Sequence, residues 1–138
     1  MILPLLETPS GGEPTILFVR NDRFAIGQSL LELPAGTREV GEAPEVTAGR
    51  ELVEEAGYQA ATLELLTRFY TTPGMTDELM WAYLARGLTQ VGQQLEEDES
   101  LTVEPVAATA AMRMIETGEL KDAKSILVLL LARSRGML

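Results

Sequence analysis

Between Gly36 and Tyr58 the chain reads GTREVGEAPEVTAGRELVEEAGY, and Glu51, Glu54 and Glu55 crowd into five positions of it. Carboxylates gathered in this way can face water as an acidic helix surface, or they can ligate a hard divalent cation through oxygen. At about 100° per helical residue, Glu55 lies about 40° to one side of Glu51 and Glu54 about 60° to the other, so the three share one arc. Val46, Ala48, Gly49, Leu52, Val53 and Ala56 fill the neighbouring arc and predict a core-facing side. Left alone, the 51/55 pair repels by about a few tenths of a kcal/mol. The acids also occupy the last turn, where the helix dipole prefers cations. Arg50 precedes Glu54 by four positions and can pair with it. A divalent cation would turn the repulsion into ligation, but charge pattern alone leaves the solvated face and the metal site both open.

Two absences narrow the chemistry. The chain has no His and no Cys. A Ser-His-Asp triad within the chain, a thiolate nucleophile, a disulfide framework and a zinc–sulfur site are therefore excluded. Any metal must sit on oxygen ligands, which suits Mg²⁺, Mn²⁺ or Ca²⁺, and a general base would be a carboxylate. A net charge of −10 and a pI near 4.4 argue against a nucleic acid partner, whose backbone needs clustered Lys and Arg. The opening "MILPLLETPSGGEP" lacks the basic start of a signal peptide. The longest apolar run, "ILVLLLA" at 126–132, is too short to span a bilayer, so no membrane partner is expected. The absence of Cys is consistent with a cytoplasmic protein. With 138 residues and 46% hydrophobic content, one globular domain over 1–138 is expected.

The elements that must position the acids follow from periodicity and turn residues. "MILPLL" and "PTILFVR" read as strands around the turn-rich "ETPSGGE", and "QSLLELPAG" as a short strand ending in a turn. Pro44 suits the first position of a helix running to Ala56, and Gly57 suits the residue just past its end. "ATLELLTRFY" and "DELMWAYLARGL" read as strands joined by the loop "TTPGMT". "QQLEEDES" is an acidic loop before a short strand at "LTVEPV". Residues 107–117 and "DAKSILVLLLARSR" are two final helices. Strands on either side of a central helix, with helices last, predict an α/β domain with a mixed sheet and helices on both faces.

The spacing Gly36, five residues, Glu42, seven residues, then Arg50-Glu51-Leu52-Val53-Glu54-Glu55-Ala56-Gly57-Tyr58, resembles the Nudix hydrolase box, with Tyr58 standing where the family usually has an aliphatic residue. The resemblance implies the Nudix fold, an α/β/α sandwich with a mixed β-sheet and a catalytic loop-helix-loop. It implies a diphosphatase for nucleoside diphosphates linked to another moiety, working with Mg²⁺ or Mn²⁺. Cleaving a P–O–P bond needs neutralised phosphate oxygens and an activated water, and carboxylates on a rigid helix can hold the cations that supply both. By this resemblance Glu51 and Glu55 are the principal metal ligands and Glu54 is a further ligand or a water-mediated partner. Arg50 would orient the acids by ion pairing, while Gly36 and Gly57 would shape the loop and the helix end.

The flanks are similar to the ADP-ribose pyrophosphatase branch. "LLELPAG" before the box implies that the backbone carbonyl of Ala35 also ligates metal. "VRNDRF" places Arg23 where that branch grips the diphosphate, with Glu32 on the following strand. "FYTTPGMTDE" puts Pro73, Gly74 and Glu78 at positions bordering the substrate. In "LEEDES" the resemblance implies a loop glutamate that activates water, assigned to Glu99 with Glu97 and Asp98 as neighbours. The implied substrate is ADP-ribose or a related nucleoside diphosphate sugar. The alternatives are another nucleoside diphosphate derivative, or a catalytically silent nucleotide-binding module. Members of the branch carry an N-terminal β segment that builds a homodimer and stacks on adenine, whereas Met1 falls within the expected first core strands. The chain is therefore read as truncated. Its few aromatics, with Trp81 on a strand, are expected to offer no adenine stack of their own.

Overall fold

A computed structural model describes residues 1–7, 11–95 and 100–138 of the chain. In order, the elements are β1 (Ile2–Leu6), β2 (Thr15–Arg23), β3 (Gln28–Glu32), α1 (Pro44–Glu51), β4 (Tyr58–Tyr70), β5 (Leu79–Gln90), β6 (Thr102–Ala107), α2 (Ala108–Glu116) and α3 (Ala123–Ser134). A one-turn helix at Phe24–Ile26 links β2 to β3, and a wider π-helical turn, Leu52–Ala56, continues α1. Among the described residues the strands form one mixed sheet in the order β3-β2-β1-β5-β4, with β6 on β2. The β1–β5 pair is parallel, and the pairs β1–β2, β2–β3, β2–β6 and β4–β5 are antiparallel.

The alternation of strand side chains explains why both faces are covered. Met1, Leu3 and Leu5 point to one face with Ile16, Phe18, Ala82 and Leu84, where they pack against Val128, Leu129 and Ala132 of α3 and Ala108 and Ala111 of α2. Ile2, Tyr83 and Ala85 point to the other face, against Ala48, Leu52 and Ala56. Burial of a side chain such as Leu52 stabilises by about 2 kcal/mol, which seats α1 firmly on the sheet. The expected α/β/α sandwich is thus present. Asp122 caps α3 by accepting the Ser125 N–H at 3.0 Å, and Ser125 Oγ accepts the Leu33 N–H at 2.8 Å. That second contact ties the strap leaving β3 to the helical layer.

Two expectations about the central helix need correction. It does not run as one α-helix from Pro44 to Ala56: the last five residues widen into the π turn. Its inner face is also rotated from the expected one, because Val46 is 59% exposed while Thr47, Glu51 and Glu55 are buried. The strap after β3 lies against this part of the helix, and periodicity cannot register a neighbour supplied by another segment. No helix among the described residues is long and apolar enough to cross a membrane.

Candidate active site

The site is built where the strap after β3 meets α1 and its π turn. Ile2 donates its N–H to the Pro34 carbonyl at 2.8 Å, which fixes the strap beside β1. The next residue, Ala35, donates its N–H to Glu55 Oε2 at 2.8 Å. Glu51 and Glu55 are only 7% and 5% exposed. Gly36 explains how Glu51 fits beneath the strap: a Cβ on Gly36 would lie 2.0–2.1 Å from the carboxylate carbon and both oxygens of Glu51. Gly36 has no positive φ, so the requirement is steric space rather than backbone conformation.

Arg50 is the hub of the acidic cluster. Its Nη1 donates to Glu54 Oε2 at 2.6 Å and lies 2.9 Å from Glu51 Oε1. Its Nε donates to Glu42 Oε1 at 3.2 Å, and Nη2 reaches the Thr37 carbonyl at 3.2 Å. Thr47 Oγ1 donates to Glu42 Oε2 at 2.8 Å. The guanidinium, and then the Thr47 hydroxyl, hold the Glu42 carboxyl down at about 2, while Glu42 in turn raises Arg50 above its ordinary value. Glu42 clamps Arg50 to the strap, a role its place in the box does not reveal.

This pair has an acid signature. The folded pKa of Glu42 lies below its unfolded value, so the stability it contributes is present above the ordinary carboxylate range and fades as pH falls toward about 2. Glu42→Gln should therefore lower the melting temperature at neutral pH. The gap to the native chain should close between about pH 4.5 and pH 2.5, as thermal melts at stepped pH would show. A gap that stays constant with pH would remove the ion pair as its cause.

At the far end of the helix Gly57 adopts φ +75°, and a Cβ there would lie 2.7 Å from the Gln93 backbone N. The chain leaving β5 packs across this point. Val91 and Gly92 donate to the Gly57 carbonyl, Gln94 N–H to the Glu54 carbonyl at 3.1 Å, and Gln93 Nε2 to the Glu55 carbonyl at 2.7 Å. Residues 93–95 thus lie at the π turn immediately before the acidic loop. Glu99, Glu97 and Asp98 themselves lie outside the described residues.

The other expected site residues separate into two groups. Glu78 lines a cavity of about 330 Å³ together with Glu51, Gly36, Thr37, Arg38, Thr47 and Trp81. It also accepts the Thr71 hydroxyl. Pro73 and Gly74 line a separate, shallow depression with Tyr70 and Met75. Arg23 and Glu32 form a bidentate pair, with Arg23 Nε 2.7 Å from Glu32 Oε1, and this pair raises the Arg23 pKa. Glu55 also contributes to raising it, so Arg23 feels the field of the acidic cluster. Among the described residues no three acidic side chains converge as a ready-made metal cage. Arg38 and Trp81 escaped the sequence reading. Arg38 is a variable position of the box, and the cavity wall it forms joins segments distant in sequence.

A family model of the NUDIX domain matches residues 5–129. The chain belongs to the Nudix family. A Nudix relative from Bacillus subtilis (strain 168), named an ADP-ribose pyrophosphatase, is 41% identical over 82% of this chain and 62% of its own length. The Bacillus methanolicus methanol dehydrogenase activator is 37% identical over 83% of the chain and 63% of its own length. An Escherichia coli O1:K1 / APEC GDP-mannose pyrophosphatase is 32% identical over 83% and 64%. The chain thus spans somewhat less than two thirds of these relatives. In fold it is similar to a solved ADP compounds hydrolase, with a TM-score of 0.84 over 100% of this chain and 74% of the other, at 22% identity. Nudix hydrolases generally need a divalent metal. The donors here fit one: they are all oxygen, Glu51 and Glu55 are buried side by side under the strap, and Gly36 leaves room for the Glu51 carboxylate.

Proposed function

We propose that this chain is the catalytic domain of a metal-dependent pyrophosphohydrolase acting on ADP-ribose or a related nucleoside diphosphate sugar. The products are a nucleoside monophosphate and a sugar phosphate. The observation that carries the reading is the pair of buried carboxylates, Glu51 and Glu55, held against the Ala35–Gly36 strap at the wall of a cavity. A protein leaves like charges buried together only where something offsets them. The names of the relatives supply the substrate class.

In this reading Glu51, Glu55, Glu54 and the Ala35 carbonyl hold Mg²⁺ or Mn²⁺. When bound, the metal neutralises diphosphate oxygens and acidifies water. Arg50 orients Glu51 and Glu54, and Glu42 secures Arg50. Glu99 takes the proton of the attacking water as a P–O bond forms and the bridging P–O bond breaks. Support for Glu99 comes from the anchoring of residues 93–94 on the Glu54–Glu55 turn, five residues earlier in the chain. Arg23 contacts the diphosphate, sharing its guanidinium with Glu32. Glu78 borders the substrate, and Pro73 and Gly74 shape the loop that carries it. The protein acts in the cytoplasm as a homodimer, with neither nucleic acid nor membrane as partner.

The test is product chromatography over a panel of ADP-ribose, GDP-mannose, a dinucleoside polyphosphate and a deoxynucleoside triphosphate, with Mg²⁺ or Mn²⁺. Turnover of a nucleotide sugar in preference to the others is expected, and Glu99→Gln should slow it by about 10²-fold or more. Preference for the triphosphate would overturn the branch assignment. If Glu97→Gln is slow while Glu99→Gln is not, the base is misassigned. The Bacillus methanolicus relative, named for activating another enzyme, favours a second reading as a regulatory nucleotide-binding module. Binding of the panel without turnover would select it.

A further inference from the structure

We infer that the cavity beside Glu51 is the nucleobase subsite, with Trp81 as its stacking platform and Arg38 as its cover; this rests on the pyrophosphohydrolase reading. The cavity has Glu51, Gly36 and Thr47 on the side of the metal-binding helix and Leu79, Met80 and Trp81 on the side of β5. Its volume of about 330 Å³ suits part of a small ligand. Trp81 is only partly buried, and the Arg38 guanidinium lies over its ring, 5.6 Å from the centroid. An indole face with a cation above it attracts planar π-systems, because a base can stack on the ring and a guanidinium can stack on the base.

The alternative occupant of the cavity is the sugar of the other half of the substrate. A sugar is recognised chiefly through its hydroxyls, and the β5 wall of this cavity is instead Leu79, Met80 and Trp81. The lining therefore favours a flat, weakly polar ring. In the structure the 5.6 Å separation leaves no room for a base between indole and guanidinium, so Arg38 lifts from Trp81 as the base enters. Arg38 belongs to the strap that also carries Gly36, which links base entry to the segment covering Glu51. The expectation that this chain lacks a base platform of its own is thereby replaced.

Trp81 is the chain's one tryptophan, so its fluorescence reports on this cavity alone. AMP and ribose 5-phosphate, the two halves of ADP-ribose, are titrated separately into the chain in EDTA, so that no turnover intervenes. AMP should change the emission saturably and ribose 5-phosphate should not. In the presence of Mg²⁺, Trp81→Leu should raise KM for ADP-ribose by about tenfold with kcat held within about twofold, and Trp81→Phe should restore most of the loss. Saturable quenching by ribose 5-phosphate in place of AMP would overturn the assignment and give the cavity to the sugar. Turnover of ADP-ribose with no emission change for either half would also overturn it, while leaving the proposed activity intact. Conversely, quenching by AMP in a chain that hydrolyses none of the panel would support the subsite and count against the pyrophosphohydrolase reading.

Discussion

Glu55→Gln should leave the chain folded and reduce nucleotide-sugar turnover by about 10³-fold or more. Glutamine has nearly the size of glutamate, and its carbonyl oxygen can still accept the Ala35 N–H that Glu55 Oε2 now accepts at 2.8 Å. What it removes is a charge buried to 5% exposure, in a place whose chemistry is to bind a cation. A loss of about 10³ corresponds to about 4 kcal/mol of transition-state stabilisation, within reach of one lost metal ligand. Stability should move the other way, because Glu51 and Glu55 no longer repel; a melting temperature equal to or above that of the native chain is expected without metal. Added Mg²⁺ or Mn²⁺ should raise the melting temperature of the native chain much more than that of the variant. Native-like turnover by Glu55→Gln would remove the metal site from this helix altogether.

How much of this could be read from sequence depends on how local each feature is. Strand alternation settled which of Ile2 and Leu3 faces which layer, and Pro44 and Gly57 marked the helix ends, since those signals lie within a few residues. The exposure of Val46 and the burial of Thr47 did not follow from the helical wheel. The hydroxyl of Thr47 is drawn in by Glu42, and the strap covers Glu51 and Glu55, so a neighbour rather than a period decides which side is inside. The Arg23–Glu32 pair was equally hidden, because it depends on hairpin geometry: β2 and β3 align Arg23 with Gln28, and a long side chain bridges the remaining distance. Box spacing identified the acids but not their cover or the cavity wall across from them. Gly36 shows the limit most plainly, since sequence could mark the position as fixed without saying which atom would collide.

Gly36→Ala should cost far more activity than stability. The added Cβ would lie 2.0–2.1 Å from the three carboxylate atoms of Glu51 and nothing else is so close, so the collision is with the far end of one flexible side chain. The backbone of Gly36 has no positive φ, so alanine adds no conformational strain. The cheapest relief is for the Glu51 carboxylate to swing aside, leaving the core beneath Leu52 and Ala48 intact. The melting temperature should therefore change little. A ligand displaced by about 1 Å or more is enough to cost about 10²-fold in turnover, and metal affinity by titration should fall with it. Gly57→Ala provides the contrast. There φ is +75° and the collision is with the backbone of Gly92 and Gln93, which cannot swing aside, so stability itself should drop by about 1–3 kcal/mol. If the two variants melt alike, or if Gly36→Ala keeps native turnover, then the space above Glu51 is not what the strap glycine provides. If they separate as expected, the two glycines of the box serve different ends: Gly57 lets the chain turn, and Gly36 leaves a gap in which a carboxylate can wait for its metal.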